Sequence, residues 1–287
     1  MKIIDMRCRP PYGSFLNNPS MDLYNLDFIE PFAAAYGATL PPSIYERSLE
    51  MCLQEMDAAG ITRSVVPVRV AQGVKNEDIA QLLTLYPERF IGMAGIDIRQ
   101  INSCFDTIER WIQNGPFQGV FMEHGYGNDG TFKCTEGTHY VNDKALYPLY
   151  EKCEREKIPV LISYGGFTAP NLTYFSPAHI DQVANDFPNL HLILAHGAWP
   201  HVQEIMIVAM AHDNLYLSPD IYMINSPGEW DYYVGANYRL SDKIIFGSAY
   251  PAIDMKQAVD YYRSKIRNEV LEKIMYQNAV KALNLNI

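Results

Sequence analysis

The feature that most constrains this chain is an alternation. Eight short aliphatic or β-branched runs, "KIIDMRC", "TRSVVPV", "RFIGMAGID", "QGVFMEH", "IPVLISY", "LHLILAH", "NLYLS" and "DKIIFGS", recur along 287 residues with helix-like segments between them. Strands that alternate with helices imply parallel pairing through crossover connections. Eight such units at this length predict an α/β fold, a (β/α)8 barrel, with a doubly wound open sheet as the alternative. A hydrophobic content of 48% supports a large core. No repeat, low-complexity tract or linker divides the sequence, so a single domain over residues 1–287 is expected.

The connections favour the barrel. Links into strands are tight, as in "AAGIT" and "YPERF", whereas links out of strands are long at 10–42, 124–142, 164–178 and 219–240. Loops that follow the strands build one face of a barrel, and that face carries the active site. The Tyr and Phe content of 10–42 reads as a packed lid. Within "SIYERSLEMCLQEMDAAG", Ser43 and Glu46 read as a capping box opening one helix and Gly60 as its stop.

The strand ends gather the chemistry. By alternation, Asp5, Arg7 and Arg9 share one face of the first strand, with Ile4, Met6 and Cys8 on the other. Two cations and a carboxylate inside a protein are costly unless paired or used. Arg69 follows the second strand, Asp97 and Arg99 the third, Glu123 and His124 the fourth, and Ser163 and Tyr164 the fifth. His196 ends the sixth, Ser218 and Asp220 the seventh, and Ser248, Ala249 and Tyr250 the eighth. Plainer readings stand beside the functional ones. The arginines could form an internal ion-pair network with Asp5 and Glu123, and Glu123 as counter-ion of Arg9 would have a lowered pKa. Asp220 could cap a turn, Tyr164 and Tyr250 could simply pack, and Arg69 and Arg99 could bond neighbouring loops.

Composition excludes other classes. A net charge of −10 without a Lys/Arg run argues against nucleic acid and anionic membranes as partners. "EIMIVAMAH" is too short and interrupted to span a bilayer. Five widely spaced cysteines without a CxxC suggest neither a disulfide framework nor a zinc knuckle. With a strand expected from Lys2, no signal peptide is expected, and the cytoplasm is the default location.

Over nearly its whole length the chain resembles the amidohydrolase-related family of metal-dependent TIM-barrel hydrolases and decarboxylases. "KIIDMRCRP" is similar to that family's opening strand, I-D-x-H-x-H, and "LHLILAHGA" to its sixth strand, with His196 on the metal-binding or catalytic histidine. "KIIFGSAYP" resembles its eighth strand and "NAVKALNL" its closing helix. The departures are systematic. Arg7 and Arg9 replace the two histidines, Ser163 the fifth-strand histidine, Ala249 the eighth-strand aspartate, and Phe121 the bridging lysine of some relatives. Guanidinium has no lone pair to donate, so neither a bound metal nor another cofactor is expected.

The resemblance implies a hydrolase of a small carboxylate-bearing ester, lactone or amide, working without a metal as the family's pyrone dicarboxylate lactonases do. Arg7 and Arg9, helped by Arg69 and Arg99, would hold the anion where relatives hold a metal. His196, Asp220 or Glu123 would move protons, and Ser163, Tyr164 and Tyr250 would orient the substrate. Metal-independent decarboxylation and a non-catalytic anion-binding role are the alternatives. The partner is a small anion, and a homo-oligomer is compatible with the sequence.

Overall fold

The computed structural model describes residues 1–16, 23–124, 139–166 and 171–286. Seven parallel strands pair in sequence order: β1 (Ile4–Asp5), β2 (Arg63–Pro67), β3 (Phe90–Gly95), β4 (Gly119–Met122), β5 (Val160–Ser163), β6 (Leu192–Ala195) and β7 (Leu215–Ser218). The eighth run joins the sheet's two edges by isolated bridges, Leu217 with Ile244 and Cys8 with Tyr250. Leu217 N–H donates to Lys243 C=O (2.9 Å) and Ile245 N–H to Leu217 C=O (2.8 Å) on one side. Met6 N–H donates to Phe246 C=O (3.0 Å) and Arg9 N–H to Tyr250 C=O (3.2 Å) on the other. The fold is the expected TIM-barrel type.

Helices α1 (Leu26–Ala35), α2 (Pro42–Glu46) and α3 (Leu49–Ala59) lie between β1 and β2. Single helices α4 (Asn76–Leu85), α5 (Ile101–Ile108), α6 (Tyr147–Arg155), α7 (Pro177–Asp186) and α8 (Val202–Ala211) then lead to successive strands. After β7 come α9 (Glu229–Asn237), α10 (Met255–Lys265), α11 (Asn268–Glu272) and α12 (Asn278–Ala282). The long segments 10–42 and 219–240 are thus partly helical. Residues 17–22, 125–138 and 167–170, which include Cys134 and most of the long segment 124–142, lie outside the described residues.

The period of two along each strand sorts the core into two layers. Ile4, Val65, Ile91, Phe121, Leu161, Ile193, Tyr216 and Ile245, one from each strand run, fill the barrel. Val66, Val120, Ile162, Leu194 and Leu217, their neighbours, pack outward with the helices. Leu283 and the α12 residues Ala279 and Ala282 extend the inner cluster. Gln118 Nε2–H reaches Leu283 C=O (2.8 Å) from just before β4, which places this plug at the strands' N-terminal ends. The opposite end is left for chemistry.

One helix differs from the sequence reading. Arg47 takes a left-handed φ of 50° and separates α2 from α3, so Ser43 and Glu46 form no capping box. Ser48 caps α3 instead, its side chain accepting from Met51 N–H (3.3 Å). Gly60, at φ 74°, ends α3 as expected.

Candidate active site

A bend at Met6 resets the alternation of the first strand. Ile4 and Met6 face the barrel interior while Cys8 packs on the helix side, so Arg7 and Arg9 turn towards the mouth. Asp5 does not join them, which corrects the shared-face reading. Its carboxylate accepts from Ser248 N–H (2.7 Å), Ser248 Oγ–H (2.6 Å) and Arg7 N–H (3.0 Å), pinning β1 to the eighth run. Burial nevertheless raises its pKa.

Across the mouth, Asp220 organises a second group. Its Oδ1 accepts from His196 Nδ1–H (3.1 Å) and Ile221 N–H (2.6 Å). Its Oδ2 accepts from His196 N–H (3.3 Å) and lies 3.6 Å from Arg7 Nε. Burial alone would raise the Asp220 pKa, but His196, Arg7 and the Ile221 N–H together hold it below the usual value. A carboxylate can only accept, so the histidine proton sits on Nδ1 and Nε2 carries a lone pair. Burial, reinforced by the Arg7 charge, lowers the His196 pKa to about 4, so the ring is neutral at pH 7.

Arg69 and Glu123 form the opposite wall. Arg69 donates to Glu123 Oε1 from Nε (2.8 Å) and from a terminal nitrogen (2.6 Å). Arg69, and not Arg9, is therefore the partner of this carboxylate, and burial raises the Glu123 pKa despite the arginines around it. Arg9 donates to Ala249 C=O (2.6 Å). Burial and repulsion from Arg7 and Arg69 lower its pKa to about 9, so it remains cationic at pH 7.

The remaining sequence candidates divide. Ser163 reaches the inner face of β5. Arg99 is exposed and clasped by Asp97 through Nε (2.6 Å) and a terminal nitrogen (2.7 Å), at the rim of a small cavity that Glu123 and His124 also line. Tyr164 follows the inward Ser163 and turns to the helix side, where its hydroxyl donates to Ser176 C=O (2.7 Å) and its ring stacks on His124. Tyr250 meets Ser43 Oγ at 2.6 Å. Both tyrosine hydroxyls are thus engaged with loop and helix groups instead of pointing into the mouth.

Three residues at the ends of successive strands have left-handed backbones although none is glycine: His196 (φ 69°), Asp220 (φ 46°) and Ala249 (φ 61°). That conformation costs about 1–2 kcal/mol per residue, and such strain concentrates at functional sites. Around the mouth, Arg9 Nε, Glu123 Oε2, Ser163 Oγ, His196 Nε2 and Ser218 Oγ are buried without a hydrogen-bond partner. Buried polar groups are normally paired, so this concentration is the signature of a ligand site. Sequence reasoning undervalued Ser218, whose hydroxyl is visible as a site feature only once strand parity is known. It also missed the His196–Asp220 pairing, because no spacing marks it.

A divalent cation, which the family resemblance implies, does not fit these residues. Arg7, Arg9, Ser163 and Ala249 hold the ligand positions, and three guanidiniums surround His196 and Asp220. Among the described residues no group of three His, Cys, Asp or Glu could hold a metal.

Comparison with known proteins agrees with this architecture. The amidohydrolase family model matches residues 4–285. An uncharacterized TIM-barrel protein from Bordetella bronchiseptica is 37% identical over 99% of both chains, with a TM-score of 0.90. A dihydroxybenzoic acid decarboxylase from Polaromonas, solved with manganese and 2-nitroresorcinol, is 16% identical over 100% of this chain and 97% of its own (TM-score 0.66). A probable 2-pyrone-4,6-dicarboxylic acid hydrolase from Acinetobacter baumannii, with citric acid bound, is 13% identical over 99% of this chain and 100% of its own (TM-score 0.66). The two distant likenesses concern the fold alone.

Proposed function

This chain belongs to the amidohydrolase family, and from that premise we propose that it hydrolyses a small carboxylate-bearing ester, lactone or amide without a catalytic metal. The observation that carries the reading is the state of His196: Nδ1 is committed to Asp220, while Nε2 is buried and unpartnered at the mouth. That is the arrangement of a general base whose tautomer is fixed by a carboxylate.

Arg7 and Arg9 would hold the substrate carboxylate by charge-assisted bonds. His196 Nε2 would take a proton from the attacking water as its oxygen bonds to the carbonyl carbon. The arginines would stabilise the resulting oxyanion. As the oxyanion collapses to a carbonyl, the bond from carbon to the leaving oxygen or nitrogen would break and the proton would pass from His196 to that atom, so the ring ends neutral. Asp220 would stay ionised throughout and support the transient imidazolium. Decarboxylation is the second reading, favoured by the decarboxylases that share this fold.

A panel of carboxylated lactones, esters and amides, together with carboxylated aromatics, tests the proposal, with acid release and CO2 release followed separately. Acid release without CO2, undiminished after exhaustive chelation, is expected. CO2 evolution would move the assignment to a lyase. Loss of turnover on chelation, restored by a divalent ion, would overturn the metal-free reading. Tight anion binding with no turnover would leave a binding protein.

A further inference from the structure

We propose that Ser163 and Ser218 form a hydroxyl-lined floor beneath the His196–Asp220 pair that selects substrates bearing an uncharged oxygen, a hydroxyl or a lactone oxygen, beside their carboxylate. The inference rests on the anion-binding reading of Arg7 and Arg9 and narrows the substrate class for the same site.

Strand parity places both side chains. Leu161 and Tyr216 belong to the cluster inside the barrel, so Ser163 and Ser218, two residues further along β5 and β7, also point inward. The register aligns Ser163 with Ala195 and Ala195 with Ser218, so the serines lie at one level on either side of a methyl group. Neighbouring strands are about 4.8 Å apart, which sets the two serine backbones roughly 10 Å from each other. They are too far apart to bond one another, yet both can touch one small ligand lying over Ala195.

The eighth run leaves Ser218 room. A β-carbon at Gly247 would lie 3.0 Å from Ser218 Oγ and 3.1 Å from Asp220 Cβ, so a larger residue there would crowd both. Both serines are 1% exposed, and neither hydroxyl has a partner. A structural serine in such a place bonds to a neighbouring carbonyl. These two instead hold donor and acceptor capacity ready at the strand ends. Among the described residues no basic side chain bonds either hydroxyl, so they serve as positioning residues and not as nucleophiles.

Calorimetric titration of the whole chain with matched acids tests this: malate against succinate, and citrate against tricarballylate, pairs that differ by one hydroxyl. The wild type should prefer the hydroxylated member of each pair by about fivefold. Ser163→Ala and Ser218→Ala should each reduce that preference, and the double variant should abolish it, with affinity for succinate and tricarballylate unchanged. Melting temperatures should hold, since removing an unpaired buried hydroxyl breaks no bond. Arg9→Met should weaken both members of a pair alike. Equal affinities in the wild type, or a preference that survives the double substitution, would overturn the floor and leave the arginine reading standing. Failure of all four acids to bind at millimolar concentration would overturn the arginine reading and the floor with it.

Discussion

The two walls of the barrel mouth use the same kinds of side chain differently. On one wall Arg69 grips Glu123 Oε1 at 2.6 and 2.8 Å, which leaves Glu123 Oε2 without a partner. On the other, Arg7 stands 3.6 Å from Asp220, which it shares with His196 at 3.1 Å. Burial raises the carboxyl pKa of the first wall, while that of the second stays low in equal burial because more donors converge on it. The difference teaches where chemistry is possible. The first wall commits its guanidinium to its own carboxylate, whereas the second presents a histidine whose Nε2 has no partner, where a proton can be moved.

Substitutions on the two walls should therefore separate. Asp220→Asn removes the charge that holds the His196 tautomer and puts an amide NH2 in place of one accepting oxygen. Once a substrate is in hand, turnover should fall roughly 10²-fold or more, read as kcat at saturating substrate. Glu123→Gln should lower turnover less than about tenfold but destabilise the fold by about 3 kcal/mol, since it leaves Arg69 buried against a neutral amide; urea unfolding measures it. Equal losses of turnover from the two changes would erase the contrast between the walls.

The smallest effect expected is a slope with pH. His196 is lowered from an ordinary 6.5 to about 4 by burial and Arg7, and His124 is lowered to about 4 chiefly by burial, with a smaller push from His179. Between those values the unfolded chain binds more protons than the folded one, so stability rises with pH across that window. The contribution of each ring is complete above about pH 6.5 and is lost as pH falls towards 4. His196→Gln should remove its share of the slope and leave that of His124. A slope unchanged by this substitution would mean that His196 titrates alike in both states.

Much of this was legible in the residues. The strand runs and the plugging segment "NAVKALNL" follow from periodicity and from family resemblance, and Arg7 and Arg9 announced a charged mouth. What escaped the sequence depends on single backbone torsions or on distant pairing. The bend at Met6 sent Asp5 to Ser248 and away from the arginines. The left-handed Arg47 split a helix that side-chain pattern had made continuous. Asp220 and His196 are separated by 24 residues, and only the ordering of β6 beside β7 brings them together.

The left-handed backbone at Ala249 has a consequence for how such a site can drift. Aspartate and asparagine tolerate that conformation better than alanine does, so the position is primed, in its main chain, for the carboxylate that the family's eighth-strand motif carries. Aspartate could be placed there with little conformational penalty. It would arrive beside Arg9, whose guanidinium already reaches the carbonyl of this residue, and would be captured as a counter-ion. A carboxylate placed at residue 249 alone would therefore end as one half of an ion pair and not as a metal ligand, unless the arginines of the first strand were changed as well.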